Sequence, residues 1–168
     1  MDAKDLIQVA LERVKAAVDR TTNGLTYQEV SWRPGPESNC IGLILLHMAR
    51  SEDNFINTRI QNGTAVWDSG KWYEKLGLLA GETAGSGYGR EQIVSFCSPQ
   101  LKETIAYMEA VRKRTLEFLK DAQLDKTINL PRLGDLSTGA IFALIITHLS
   151  QHVGEISYIR GMQRGLNG

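Results

Sequence analysis

Apolar side chains recur every three or four residues through most of this chain, the period of helices that bury one face. The first such stretch predicts a helix from about Asp2 to about Thr21, with Leu6, Val9, Ala10, Val14 and Ala17 as its buried stripe and Asn23–Gly24 as its stop. LTYQEVSWRPGPESN then reads as a connector that Trp32 packs down. Ser38 or Asn39 is the expected cap of a second helix that reaches Asn62–Gly63. Its first turns are apolar nearly all round (Ile41, Leu43, Ile44, Leu45, Leu46, Met48), which implies deep burial. Its later turns carry Arg50, Glu52, Asp53, Asn57 and Arg59 on a polar side.

Residues 64–90 form a long irregular link, with Trp67, Trp72 and Tyr73 to dock it and glycines at 81, 85, 87 and 89 to bend it. A short helix from about Glu91 to Cys97 follows. Ser98–Pro99 reads as the cap and first turn of a third long helix ending near Asp121. Its buried stripe is Leu101, Ile105, Met108, Leu116 and Leu119, and its outer face, with Lys102, Glu103, Arg112, Lys113 and Glu117, reads as solvated. A second link holds Pro131 and Gly134. The fourth helix runs from near Ser137 to near Arg160–Gly161, with Ile141, Ile145, His148, His152, Ile156 and Ile159 along one strip. No strand-like alternation of useful length, repeat or low-complexity tract interrupts this order. The expected fold is all-α, a four-helix bundle occupying residues 1–168 as one domain, with a long irregular crossover between helices two and three.

Composition narrows the function. Lys+Arg and Asp+Glu number 19 each, so the chain lacks the basic excess of a nucleic-acid binder. No apolar run approaches the roughly 18 residues of a membrane span. The amphipathic start, MDAKDLIQVALERV, lacks the features of a signal peptide, and the cytoplasm is the expected setting. Cys40 and Cys97 match no metal or redox spacing and read as small core hydrophobes.

Chemistry enters with the histidines. There are three, and each lies in an apolar helical stretch. His148 and His152 are four apart, which places two imidazoles on one helix face, one turn apart. His47 follows IGLILL in the second helix. Imidazoles are expensive to bury without partners, and a shared divalent metal satisfies all three at once. The competing reading is three separately hydrogen-bonded core histidines. Three imidazoles would leave at least one coordination position open, as in catalytic rather than closed structural sites. Glu155 shares the general face of His148 and His152 and could orient a histidine, act as a base or bind the metal. Leu149 follows His148, so the zincin glutamate is absent. GETAGSGYGR is not a phosphate cradle, because Arg90 stands where the last glycine is needed. Ser51 reads as a helix hydroxyl bonded to its own backbone. Glu52 and Asp53 read as solvated or paired with Arg50, with a place behind a metal ligand as the sharper alternative for one of them.

The stretch LTYQEVSWRPGPESNCIGLILLHMARSEDNFI, together with WYEKLGL, the GYG before the third helix and the closing HLSQHVGEISYIRGMQ, resembles the DinB-like (DinB/YfiT-like) superfamily of metalloenzymes over about Leu25 to Gln163. The resemblance implies a bundle in up-down-down-up order and maps the family's metal triad onto His47, His148 and His152. It implies zinc or nickel as the metal and a homodimer as the assembly. It also implies a small-molecule substrate, with a low-molecular-weight thiol (bacillithiol, mycothiol or glutathione) as co-substrate of an S-transfer or isomerisation. The leading expectation is therefore a metal-dependent, thiol-dependent S-transferase acting on small electrophiles. The alternatives are a metal-dependent hydrolase and a non-catalytic metal- or ligand-binding stress-response protein.

Overall fold

Asp2 and Asp5 start the first helix by exchanging hydrogen bonds. Each side chain accepts from the other's backbone N–H at 2.9 Å, which satisfies two donors that the first turn leaves free. The computed structural model describes residues 1–131 and 133–165. In it α1 spans Ala3–Thr22 and buries Leu11, Val14 and Val18. The buried stripe is thus rotated from the expected one: of the five expected residues only Val14 is buried, and Leu6 and Val9 are 58% and 39% exposed. Ile7, Leu11, Val14 and Val18 keep the same three–four spacing on a neighbouring face with larger apolar side chains than Ala10 and Ala17.

After α2 (Tyr27–Ser31), capped by Thr26 and Glu29, Trp32 remains exposed rather than packed down. The next helix, α3 (Ile41–Glu52), starts at Cys40 without a side-chain cap. Ser38 is not the cap; its carbonyl accepts from Arg33 Nη1 at 2.8 Å within the connector. A π-helical segment, Asp53–Ile60, continues α3. π-Helical turns are rare and shift the buried face relative to the α-helical register. Asp53, Ile56, Asn57 and Ile60 are the buried residues here. The polar side expected at this end is therefore partly internal. Glu52 forms a two-pronged ion pair with Arg112, both contacts at 2.8 Å, with the carboxylate side chain only 4% exposed. Neither Glu52 nor Arg112 is solvated.

The crossover carries three short helices: α4 (Val66–Ser69), α5 (Trp72–Leu76) and α6 (Arg90–Ser95). Asp53 anchors its start by accepting from the Val66 and Trp67 backbone N–H groups and from the Tyr107 hydroxyl, each at 2.9 Å. Trp67 and Ala84 from the crossover then pack with Leu46, Ala49, Tyr107 and Val111 in an apolar cluster of their own. The third long helix, α7 (Leu101–Asp121), has Gln100 rather than Ser98 at its cap. Ser98 is instead pressed against Gly42: a Cβ at Gly42 would lie 1.7 Å from Ser98 Oγ, so only glycine allows this approach. Cys40 is buried as expected, whereas Cys97 is exposed.

The second link contains an antiparallel hairpin, β1 (Thr127–Leu130) and β2 (Gly134–Ser137), so the chain is not purely helical. Strands of four residues are too short to show alternation in the sequence. Ser137 caps α8 (Thr138–Arg164), which passes through Gly154 and Gly161 and ends beyond its expected stop. Arg160 and Arg164 hold its last turns: Arg160 donates to the carbonyls of Thr21 and Asn23, and Arg164 clasps Glu29.

The long helices close a ring. α1 packs on α8, α3 on both α7 and α8, and α7 returns to α1. Leu11 and Val14 of α1, Ile44, Leu45 and Met48 of α3, and Ile141, Phe142, Ile145 and Leu149 of α8 form the centre of the core. Each such side chain contributes about 1.5–3 kcal/mol by burial. α3 and α8, the two helices that carry the histidines, are therefore fixed to each other by apolar contact. No described helix is long and apolar enough to cross a membrane.

Candidate metal centre

The packing of α3 on α8 brings His47 beside His148 and His152. One nitrogen from each ring lies within 4.8 Å of those of the others, close enough for all three to hold one metal ion. The ring centroids are 5.1, 4.9 and 4.4 Å apart, with the planes steeply inclined. The three side chains are half-buried rather than central. On α8 the fully internal positions are Ile141, Phe142, Ile145, Leu149 and Ile156, and the histidines flank that stripe at its solvent edge.

Two of the rings have their tautomer set by a pure acceptor. His47 Nδ1 is 2.9 Å from the Ala84 carbonyl, so Nδ1 carries the proton and Nε2 keeps its lone pair. His152 Nδ1 is 2.9 Å from Glu155 Oε2, with the same result. A carboxylate or carbonyl behind an imidazole is the usual support of a metal-binding histidine. His148 Nε2 lies 3.2 Å from Ser51 Oγ. Burial and the neighbouring His152 and His47 push the His148 pKa down to about 4. Burial also lowers that of His47, against the opposing pull of its bond to Ala84. Both rings are thus neutral at pH 7, the form that can ligate.

Glu155 is the expected outer group, and its carboxylate reaches His152. Ser51, expected to bond its own backbone, instead turns its hydroxyl to His148. Its position four residues after His47 on one helix face was the available signal. The Ala84 carbonyl carried no sequence signal, because every residue has a carbonyl. Its delivery depends on Glu82, which accepts from the Ala84 N–H at 2.7 Å and from the Tyr88 hydroxyl. Ala84 itself is buried in the left-handed backbone region at φ +53°. Neither Glu52 nor Asp53 stands behind a histidine; both are engaged elsewhere, as described above.

A pocket of about 330 Å³ is walled by Arg50, Ser51, Asn54, Phe55, Thr58, Thr83 and Ser86 among others; no histidine lines it, and Ser51, which touches His148, is its link to the triad. A second, apolar cleft of about 360 Å³ lies over Met48, Ala49 and Glu52 between α1, α3 and α7; neither a histidine nor Ser51 lines it.

The sequence profile of the DinB superfamily matches residues 10–156. The chain belongs to the DinB superfamily. The chain is also similar in fold to a solved structure, the crystal structure of a conserved protein from Enterococcus faecalis. That structure is 21% identical to this chain, covers 96% of it over 97% of its own length, and superposes with a TM-score of 0.84. At that identity the likeness speaks for the fold alone. No curated protein matches the chain. Family and fold agree with a helical DinB domain in which three histidines could bind a metal ion.

Proposed function

We propose that His47, His148 and His152 hold a divalent metal ion, zinc or nickel, and that this DinB superfamily member is a metal-dependent S-transferase joining a low-molecular-weight thiol to a small electrophile. The observation that carries the reading is the convergence of three half-buried imidazoles from two helices, with Ser51 between His148 and a polar pocket. The donor set fits such a metal. Nitrogen ligands suit zinc and nickel, and two rings already have the outer acceptors that orient ligating histidines. A divalent ion there supplies Lewis acidity, which lowers the pKa of a thiol placed beside it.

The protein's own groups do the rest. The Ala84 carbonyl and Glu155 fix two imidazoles with Nε2 free. Glu155, accepting the Nδ1 proton of His152, raises the basicity of the far nitrogen. The Ser51 hydroxyl links the triad to the pocket, where it can donate to or accept from a substrate atom. We place these elements in an up-down-down-up bundle, which the long crossover between α3 and α7 permits. The reading includes a homodimer, as the resemblance implies, and a cytoplasmic setting, with which two free cysteines agree.

The test has two parts. Protein purified without a histidine tag should carry close to one equivalent of metal by elemental analysis, and His148→Ala should lose it. Glu155→Gln should weaken metal binding by about 10–100-fold. Loaded protein should then conjugate chlorodinitrobenzene or an epoxide with bacillithiol, mycothiol or glutathione, and lose this activity on chelation. No metal-dependent rate with any thiol rejects the transferase. Metal-dependent product release without thiol assigns a hydrolase, and metal binding with neither activity assigns a non-catalytic binding protein.

A further inference from the structure

Arg50 is a half-buried cation with no carboxylate in direct contact; the Tyr107 hydroxyl, which donates to Asp53, also interacts with it. Its guanidinium lies 4.4 Å from the centre of the Trp67 ring and donates from Nη2 to the Glu82 carbonyl at 3.3 Å. Its Nε–H is buried with no acceptor. The two acids nearest in sequence are taken, Glu52 by Arg112 and Asp53 by the Val66 and Trp67 N–H groups and Tyr107. Among the described residues no carboxylate forms an ion pair with Arg50. A charged group in a partly buried place is ordinarily paired, so a guanidinium that lines a cavity with no carboxylate on it marks a place for an incoming anion.

That cavity is the polar pocket beside the triad. Arg50 and Ser51 are adjacent on α3 and both line it, and Ser51 Oγ touches His148. Phe55 and Ala65 give it apolar wall, while Asn54, Thr58, Thr83 and Ser86 give it hydroxyls and an amide. Asp68, exposed, is the one carboxylate among its lining residues, and no lysine lines it.

We propose that this pocket is a carboxylate subsite: Arg50 takes the carboxylate of a small organic acid whose other end reaches the histidines past Ser51. The assignment of the reacting end rests on the function proposed above; the anion site does not. A single guanidinium charge matches a monoanion. A phosphate dianion would meet one cation and the nearby charge of Asp68, a poorer balance. The electrophile of the transfer would then belong to the class of small acids with an apolar body.

The test uses the full chain after chelation, so that metal plays no part in it. Nitrogen–proton NMR follows titration with phenylacetate, with the neutral phenylacetamide and with inorganic phosphate. Phenylacetate should perturb amides within 50–58 and 83–86 and bind about tenfold tighter than the amide, the scale of one charge-assisted pairing. Arg50→Gln should abolish that preference, and Arg50→Lys should keep part of it. Asp68→Asn should tighten phenylacetate binding. Equal affinity for acid and amide, no binding of either, or phosphate binding tighter than phenylacetate would each overturn the proposal. If Arg50→Gln does not fold, the comparison on the native chain decides alone. A chain that binds the acid but no metal refutes the triad reading and leaves the subsite standing; a chain that binds metal but no acid does the reverse.

Discussion

At the scale of single residues, burial sets the chemistry of the imidazoles. His148 ordinarily titrates near 6.5 and is held at about 4, first by loss of solvent and then by its two neighbours. The unfolded chain therefore takes up a proton here before the folded one does. Without metal, this contribution to stability is complete above about pH 6.5 and is lost as pH falls through that value towards about 4. Glu29 acts in a separate window. Arg164, then Thr26, hold its carboxyl at about 2, so its contribution is lost only as pH drops from 4.5 towards 2. The thermal midpoint of chelated protein should fall between pH 7 and pH 4.5, and the fall should be shallower in His148→Ala. Parallel profiles for the two proteins would mean that the buried imidazole is not the cause. The triad itself was legible because the chain has only three histidines and two share a helix face. Ser51 was misread because its hydrogen bond runs to a residue 97 positions away, which spacing along one helix does not reveal.

At the scale of elements, helix existence was legible and helix faces less so. Each long helix appears near its expected limits, since the three–four periodicity is strong. The stripes of α1 and α7 are shifted, α7 burying Thr104, Tyr107, Val111, Thr115 and Leu119, because half-apolar helices offer two neighbouring faces and tertiary contact chooses between them. The end of α3 and the face of α7 it meets were harder still. Glu52 and Arg112 look solvated in sequence, yet they meet across 60 positions and bury each other. Asp53 begins the π-helical segment and receives three hydrogen bonds from the crossover and α7. Removing its carboxylate would strand those donors in the interior. Asp53→Ala should lower unfolding free energy by about 3 kcal/mol or more, read as a shifted urea midpoint. A change within about 0.5 kcal/mol, the range of an ordinary surface substitution, would show that the crossover does not depend on this anchor.

At the scale of the whole molecule, the site is built on a core that already joins its two helices. Ile44, Leu45 and Met48 meet Ile141, Phe142, Ile145 and Leu149 without any help from the histidines. Chelation should therefore leave helicity intact by circular dichroism, while the melting temperature rises again on adding zinc or nickel. Loss of helicity on chelation would contradict this. What the sequence did not disclose is the part played by the crossover, which turns a backbone carbonyl, rather than a side chain, toward His47. That choice has a genetic consequence. Every substitution at position 84 other than proline keeps both the carbonyl and the N–H, so changing that side chain does not delete the contact. Variation at Glu82 or Tyr88, which shape the turn, would shift the acceptor behind His47, and with it the candidate metal centre, while the three histidines stayed unchanged.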